Sequence, residues 1–178
     1  MKRPMTQRGY DALRAEITRL KGLRPELAKA IEVARAQGDL SENADYDAAK
    51  ERSGMVEAKI RDIDSRLTLA EIHDPNKLRA AKRVMVGVSV RVSDVDSGED
   101  RSFTILGTEE ADAQRGWISY ESPLGKGLIG KEVGDVARLQ LPSGVREYEI
   151  TEIYVDDAVF SLEPLSAGTA DRSLSEKS

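Results

Sequence analysis

An uninterrupted stripe of apolar and small residues in positions 46–70 constrains the fold of this chain more than any other feature. Its members recur at spacings of three and four, at Tyr46, Ala49, Ser53, Val56, Ile60, Ile63, Leu67 and Ala70. This spacing sets one side of an α-helix against a partner helix and is typical of coiled coils. Because an α-helix rises about 1.5 Å per residue, the predicted helix spans roughly 40 Å and extends beyond a small compact domain.

A second amphipathic stripe precedes the first and supplies the partner helix. Thr6 is a suitable N-cap, and the stripe follows it at Tyr10, Leu13, Ile17, Leu20, Leu27, Ile31 and Ala34. Pro25 interrupts the pattern, so we expect the helix to kink or restart with this proline in its first turn. Gly38 ends the arm at about Gln37, because glycine readily adopts the left-handed conformation after a helix. Residues 1–77 are therefore predicted to form a long antiparallel helical coiled-coil hairpin.

The tip of this hairpin, residues 38–46, is acidic and carries Asp39 and Glu42 three residues apart. Asp39 followed by Glu42 is the pattern of a capping box, in which both carboxylates satisfy amides of the first helical turn. Two carboxylates at this spacing can also project from one side of a loop as hard oxygen ligands for magnesium. Two ligands are too few for tight binding, so such a tip would complete a metal site on another molecule. Both interpretations remain open from the residues alone.

After His73-Asp74-Pro75 the pattern changes from helical to strand-like. Alternation at Val84, Val86, Val88, Val90 and Val92 predicts a half-buried strand. Further strands are predicted around residues 103–106, 117–120, 137–141 and 148–154, with turns at 96–98 and 142–144 and a short helix within 123–130. The fold class is thus α+β, with a small antiparallel β-rich domain over residues 78–157. Residues 158–178 have no period and are predicted to be a disordered tail.

Composition excludes disulfides, thiolate metal sites and membrane-spanning helices. The chain has no cysteine, and it has no apolar run of the roughly 18 to 20 residues that a membrane helix needs. We therefore expect a cytoplasmic protein without a membrane partner. The formal net charge is +4 for residues 1–83 and −9 for residues 84–178. The basic half is suited to nucleic acid and the acidic half to a protein partner.

The chain offers little enzymatic machinery. His73, the single histidine, is expected to be a capping or surface residue, so a Ser-His-Asp triad has no support. Gly125, Gly127 and Gly130 have the spacing G-x-G-x-x-G but do not open a long helix in a βαβ unit, and we interpret them as turn residues.

The acidic tip Gly38-Asp39-Leu40-Ser41-Glu42-Asn43-Ala44-Asp45-Tyr46 between two long helices, followed by a β-rich domain that carries residues 122–135 (SPLGKGLIGKEVGD), resembles the bacterial transcription elongation factors GreA and GreB. The resemblance covers nearly all of residues 5–155. Leu40 and the moderately basic helix surface make the chain more similar to GreA than to GreB. The C-terminal domain is also similar to FKBP-type folds.

The resemblance implies a factor that binds bacterial RNA polymerase, inserts its hairpin into the secondary channel and stimulates cleavage of the 3′ end of backtracked nascent RNA. The factor would not itself be an enzyme. Asp39 would help to hold a second Mg²⁺ of the polymerase active site, and Glu42 would orient the attacking water. The free protein would have no cofactor and no measurable Mg²⁺ binding. Lys50 and Arg52 match the region of the family that contacts RNA; the alternative is that they belong to a solvated helix face. The stretch that binds the polymerase rim is matched by Glu121, Ser122 and Pro123; the alternative there is a simple Ser-Pro turn.

Three other functions stay open from the sequence. A Gre-like paralogue could occupy the channel and regulate the polymerase without cleavage. An FKBP-like domain could be a prolyl isomerase, although the aromatic residues that would line its pocket are few. A coiled-coil adaptor or chaperone would need the tip only as a cap.

Overall fold

The computed structural model describes residues 1–38 and 43–161, and this part of the chain forms a helical hairpin followed by a β-rich domain. The helices are α1 (Gln7–Gly22), α2 (Arg24–Arg35), α3 (Ala44–Thr68), α4 (Pro75–Leu78) and α5 (Pro123–Leu128). The strands are β1 (Arg3–Met5), β2 (Ala70–Ile72), β3 (Ser89–Asp94), β4 (Asp100–Leu106), β5 (Trp117–Ser119), β6 (Val136–Leu141) and β7 (Gly144–Tyr154). The predicted α+β architecture is confirmed.

The ascending arm consists of α1 and α2. The Thr6 hydroxyl caps α1 by accepting a hydrogen bond from the Gly9 amide at 3.1 Å. The arm breaks at Leu23, and α2 restarts with Pro25 in its first turn, as the proline predicts. The arm ends as a regular helix at Arg35, two residues before the predicted end, and continues as a turn.

The two arms are held together by the predicted stripes. Both sides contribute buried apolar residues to one cluster, which contains Ile17, Leu20, Leu27, Val56, Ile60 and Ile63. Each such side chain contributes roughly 1.5 to 3 kcal/mol when it is fully withdrawn from water. The part of the hairpin between these residues is therefore stabilised by its own apolar seam.

A small parallel sheet closes the base of the hairpin. Strand β1 pairs with β2, with Arg3 opposite Ala70 and Met5 opposite Ile72. The pairing places the first residues of the chain beside the end of α3, and the side chain of Met5 is buried there. Neither β1 nor β2 was predicted, and Ala70, which the helical stripe included as its last member, begins β2 instead.

The C-terminal domain is a five-stranded sheet in the order β5-β4-β3-β7-β6, with α5 packed against it. Neighbouring strands are antiparallel except β4 and β5, which are parallel, so the sheet is mixed. Its core is apolar and includes Val88, Val90, Ile105, Leu128, Leu139 and Ile150. The short helix predicted within residues 123–130 is confirmed as α5.

One predicted strand begins later than its pattern indicates. Strand β3 starts at Ser89, so Val84, Val86 and Val88 precede it instead of forming its first half. The amide of Val84 donates a hydrogen bond to the Lys131 carbonyl at 2.8 Å, which holds this segment beside the loop after α5. Val84 and Val88 are buried in the core from an irregular segment and Val86 is partly buried, and their alternation produced the wrong boundary.

No helix in residues 1–38 and 43–161 is both long and apolar enough to cross a lipid bilayer. The predicted disordered tail, residues 158–178, is wrong for its first residues, because Asp157–Phe160 form a 3₁₀ helix and Val159 is fully buried beside Leu106 and Trp117. The part of the tail from 162 onwards lies outside the described residues.

Candidate functional site

The two arms of the hairpin are joined near the tip by the side chain of Asn43. Its Oδ1 accepts a hydrogen bond from the Tyr46 amide at 3.0 Å and so caps α3. Its Nδ2 donates a hydrogen bond to the Ala34 carbonyl, near the end of α2, at 2.6 Å. Gly38 has φ of 117°, which an L-residue rarely adopts, and this lets the chain leave the ascending arm. One side chain thus caps the descending helix and ties it to the ascending one.

This cap overturns the capping-box interpretation of the tip for α3. The helix begins at Ala44 and takes its cap from Asn43, so Asp39 and Glu42 are not needed for that purpose. Asp39 and Glu42 themselves, with Leu40 and Ser41, lie outside the described residues. Their predicted role in catalysis and in holding a metal stays a prediction.

Two cations surround Tyr46 beside the tip. The Lys50 ammonium nitrogen lies 5.3 Å from the centre of the Tyr46 ring, and the Arg35 guanidinium lies 6.0 Å from it. A hydrogen bond from Arg35 is the main cause that lowers the pKa of the Tyr46 hydroxyl, and the charge of Lys50 acts in the same direction. The cluster therefore presents positive charge close to the acidic segment.

The structure separates the two predicted RNA-contacting residues. Lys50 faces Tyr46, whereas Arg52 lies two positions further along α3. Residues two apart on a helix do not share a face, so Lys50 and Arg52 do not form one patch. The residue that joins Lys50 is Arg35 from α2, which the sequence analysis missed. Its signal was its position in the last turn of the ascending arm, next to the tip.

The predicted polymerase-binding stretch begins α5. The Ser122 hydroxyl accepts a hydrogen bond from the Gly125 amide at 3.0 Å and donates one to the Ser119 carbonyl at 2.6 Å. Pro123 occupies the first turn and is exposed. Glu121 is exposed as well, and its Oε2 accepts a hydrogen bond from the Thr108 hydroxyl at 2.9 Å. Ser122 and Pro123 thus have structural roles at a helix start, and the contact with polymerase stays a prediction.

Comparisons with known proteins identify the family of this chain. The sequence model described as "Transcription elongation factor, N-terminal" matches residues 3–72, and the model described as "Transcription elongation factor, GreA/GreB, C-term" matches residues 79–155. The chain belongs to the GreA/GreB family of transcription elongation factors. The two matches correspond to the hairpin and the β-rich domain.

The curated relatives point to GreA. The chain is 46% identical over 151 residues to transcription elongation factor GreA of Verminephrobacter eiseniae, which covers 84% of this chain and 96% of the relative. It is 49% identical over 147 residues to GreA of Desulfovibrio desulfuricans, covering 83% of this chain and 90% of the relative. The predicted resemblance to GreA is confirmed.

Solved structures of related factors were also found. The crystal structure of GreA factor homolog 1 (Gfh1) of Thermus thermophilus is 29% identical and covers 86% of this chain and 99% of its own, with a TM-score of 0.41. The GreA/GreB factor from Nitrosomonas europaea is 19% identical and covers 86% and 98%, with a TM-score of 0.39.

The glycine spacing within the GreA/GreB C-terminal match has a packing explanation. Gly125 and Gly127 lie inside α5, where a Cβ would overlap the Ser119 carbonyl oxygen and the Leu139 side chain respectively. Only Gly130, with φ of 84°, occupies a turn. The interpretation of all three as turn residues was therefore wrong for two of them, since helix α5 needs glycine to pack closely on the sheet.

The rest of the described GreA/GreB chain carries no second candidate centre. His73 is half-buried beside the parallel sheet, and its amide donates a hydrogen bond to the Met5 carbonyl at 3.1 Å. Residues 1–38 and 43–161 contain no group of three or more histidine and carboxylate side chains placed to hold a metal ion. The tip of the hairpin thus remains the candidate site.

Proposed function

We propose that this protein binds bacterial RNA polymerase, inserts its hairpin into the secondary channel and stimulates cleavage of the 3′ end of backtracked nascent RNA. The chemistry belongs to the polymerase, and the factor supplies Asp39 and Glu42 at the end of the hairpin. The freed RNA 3′ end would then return an arrested complex to elongation. Membership of the GreA/GreB family supports the role in elongation, and the cap at Asn43 supports the assignment of the carboxylates.

The cap at Asn43 is the single observation that supports the assignment of Asp39 and Glu42 to cleavage. Asn43 both caps α3 and bonds to Ala34, so α3 takes its N-cap from a residue other than Asp39 and Glu42. The acidic pair is therefore not required as the cap of α3. Helix α3 alone contains 25 residues, and at about 1.5 Å per residue it is roughly 37 Å long. A long arm that carries two carboxylates in the segment at its end is suited to reach a distant site.

The acidic residues would act on a metal that the polymerase holds. Asp39 would help to hold the second Mg²⁺, and Glu42 would orient the attacking water. A divalent ion in such a site stabilises developing negative charge and readies a water molecule for attack. Carboxylate oxygens are the ligands that Mg²⁺ prefers, and the ion commonly shares them with substrate phosphates.

The positive residues beside the tip would contact the RNA. Arg35 and Lys50 flank Tyr46, and cations at this position suit the phosphates of an extruded RNA segment. Arg52 is exposed on another side of α3 and would make at most a separate contact. In the C-terminal domain, Glu121 and Pro123 are the exposed members of the stretch proposed to bind the polymerase rim.

The test is transcript cleavage in a stalled, backtracked polymerase complex with labelled RNA and Mg²⁺. The wild-type protein should shorten the transcript, and Asp39→Asn with Glu42→Gln should abolish the stimulation while polymerase binding persists. Asp47→Asn is the matched control, because Asp47 is an exposed carboxylate in the first turn of α3 and outside the pair. It should cleave as the wild type does.

Two results would contradict the proposal. If the wild type and the double variant both bind and neither stimulates cleavage, the protein is a channel-occupying regulator. If Asp47→Asn is as defective as the double variant, total charge near the tip matters and the specific pair does not.

A further inference from the structure

A glutamate of the C-terminal domain takes part in the cap of the first helix. Glu110 lies in a 3₁₀ turn formed by residues 108–110 and is only 3% exposed. Its Oε2 accepts a hydrogen bond from the Thr6 amide at 3.1 Å, and its Oε1 accepts one from the Thr6 hydroxyl. The same hydroxyl caps α1 through the Gly9 amide. The start of the hairpin is thus fixed by a residue 104 positions away.

The neighbouring glutamate holds the base of the hairpin on both sides. The Glu109 side chain is 7% exposed, and its Oε1 accepts hydrogen bonds from Arg3 at 3.1 Å and from Arg66 at 3.3 Å. Arg3 belongs to β1 and Arg66 to the last turn of α3. One carboxylate therefore connects the first strand and the descending helix to the C-terminal domain.

Arg8 and Trp117 form a third contact between the two domains. The Arg8 guanidinium lies 4.6 Å from the centre of the Trp117 ring, and Arg115 lies 4.9 Å from the same ring. Arg8 is 8% exposed, and its burial lowers its pKa while the charge of Glu110 opposes that shift. Within the described residues, Nε and Nη2 of Arg8 have no hydrogen-bond partner. The ring and Glu110 are therefore what compensate this buried cation.

The hairpin and the C-terminal domain are in close contact at Gly9 and Gly107. A Cβ added to Gly9 would lie 2.6 Å from Cδ of Glu110, and a Cβ added to Gly107 would lie 2.9 Å from the Pro4 carbonyl oxygen. Real Cβ atoms do not approach other heavy atoms so closely, so both glycines are needed for this fit. Neither domain can tilt toward the other at these points without displacing the contacts.

We infer that the contacts between the two domains fix the direction of the hairpin relative to the C-terminal domain. The residues that make them are here called the junction clamp: Thr6, Arg8, Glu109, Glu110 and Trp117. Within this clamp, Glu110 is a positioning residue for the tip. The role in cleavage rests on the proposed function. If the C-terminal domain holds the polymerase, an error in direction at the base is magnified at the far end. A tilt of about 10° over a hairpin of roughly 37 Å displaces the tip by about 6 Å. A misplacement of about 1 Å can cost a reaction about 100-fold, so the tip requires a rigid base.

The clamp can be tested without polymerase by a distance measurement. The chain has no cysteine, so two spin labels can be placed at Glu51→Cys on α3 and Gln140→Cys on β6, both exposed positions. Pulsed electron paramagnetic resonance should give a narrow distance distribution for the parent. Gly9→Ala and Glu110→Ala should each broaden or shift it, because one pushes Glu110 away and the other removes it.

The matched control is Gly54→Ala. Gly54 lies in α3, and a Cβ at this position would meet no atom within 4 Å. This variant should keep the parent's distance distribution. Trp117, the single tryptophan of the chain, gives an independent signal, since its emission should change in Gly9→Ala and remain the same in Gly54→Ala.

The cleavage assay then tests the positioning role. At saturating factor, Gly9→Ala and Glu110→Ala should lower the maximal cleavage rate at least tenfold, with little change in the factor concentration that gives half the effect. Glu110→Gln keeps one acceptor for Thr6 and should recover part of the rate. A distance distribution that stays narrow in both variants would overturn the clamp, and a broadened distribution with an unchanged maximal rate would overturn the positioning role. A wild type that fails to cleave would refute the proposed function alone, because the distance measurement still decides the clamp.

Discussion

Replacing Asn43 tests whether one side chain holds the hairpin together near its tip. Asn43→Ala removes the cap on the Tyr46 amide and the bond to the Ala34 carbonyl at once. Loss of an N-cap of this kind costs about 1 kcal/mol, and loss of a further hydrogen bond costs about 1 kcal/mol more. The free energy of opening the end of the hairpin should therefore fall by about 2 kcal/mol.

Asn43→Asp separates the two contributions. Aspartate keeps the oxygen that accepts the Tyr46 amide and adds a negative charge at the positive end of α3, but it cannot donate to Ala34. Asn43→Asp should lower the free energy of opening the end of the hairpin by about 1 kcal/mol, the contribution of the hydrogen bond to Ala34. The order of stability should be wild type, then Asn43→Asp, then Asn43→Ala.

Hydrogen exchange at the Tyr46 amide is the appropriate assay, because the effect is local and global unfolding would dilute it. A loss of about 2 kcal/mol corresponds to roughly 30-fold faster exchange. Amides near Ile60, which lie in the buried seam, should exchange at the wild-type rate and serve as the internal control. Equal exchange at Tyr46 in all three proteins would refute the assignment of Asn43 as the cap.

Three further changes probe the core, a helix surface and a buried carboxylate. Leu128→Ala should lower the free energy of unfolding by about 2 to 5 kcal/mol, measured by denaturant titration, because Leu128 is fully buried. Gly54→Ala should raise it by about 0.5 to 1 kcal/mol in the same titration, since the site is helical and open. The pKa of Asp94 lies below its usual value because the amides of Ser97 and Asp96 donate hydrogen bonds to the carboxylate, with Arg146 adding to them. The ionised Asp94 carboxylate therefore stabilises the fold fully above its unfolded pKa of about 3.9, and this stabilisation is lost as the pH falls through the lower folded pKa. Denaturant midpoints of Asp94→Asn should depend less steeply on pH in that acid range than those of the wild type.

The hairpin was predictable because its signals are local. A period of three and four residues fixes the buried side of a helix, and Pro25 and Gly38 mark a break and an end by their backbone preferences alone. The seam around Val56 and Ile60 follows directly from that period. The end at Arg35 was less certain, because a helix can continue as a turn for two residues without any change in composition.

The sequence alone could not decide the cap of α3, because it offers two equivalent signatures. Asp39 and Glu42 have the spacing of a capping box, and Asn43 is itself a preferred N-cap residue. Local pattern cannot decide between them. The bond from Asn43 to Ala34 decides it, and that bond exists only once both arms are folded.

The junction clamp could not be predicted for a different reason. Its partners are separated by more than 100 positions, and neither Glu109 nor Glu110 has a pattern that distinguishes it from a solvated surface residue. The single hint was Gly9, a poor helix former within the first turn of an otherwise strong helix. Its reason becomes visible only when Glu110 is packed against it.

Charged side chains on the outer surface of the hairpin form ion pairs within one helix, as Arg66 and Asp62 do in α3. Arg24 and Glu57 differ, because they join the start of α2 to the middle of α3 by two hydrogen bonds of 2.8 and 3.0 Å. The hydrogen bond from Arg24 lowers the pKa of Glu57. Their side chains are 48% and 38% exposed, so water screens the pair and we expect only a weak coupling between them.

A double-mutant cycle with Arg24→Gln and Glu57→Gln measures this coupling by denaturant unfolding. We expect it to be present at low ionic strength and to fall at about 1 M salt, where charges are screened within about 3 Å. Coupling that is unchanged by salt would mean that packing of the side-chain stems, and not charge, joins the arms here. Coupling that is absent at low salt would mean that the paired geometry contributes nothing to stability.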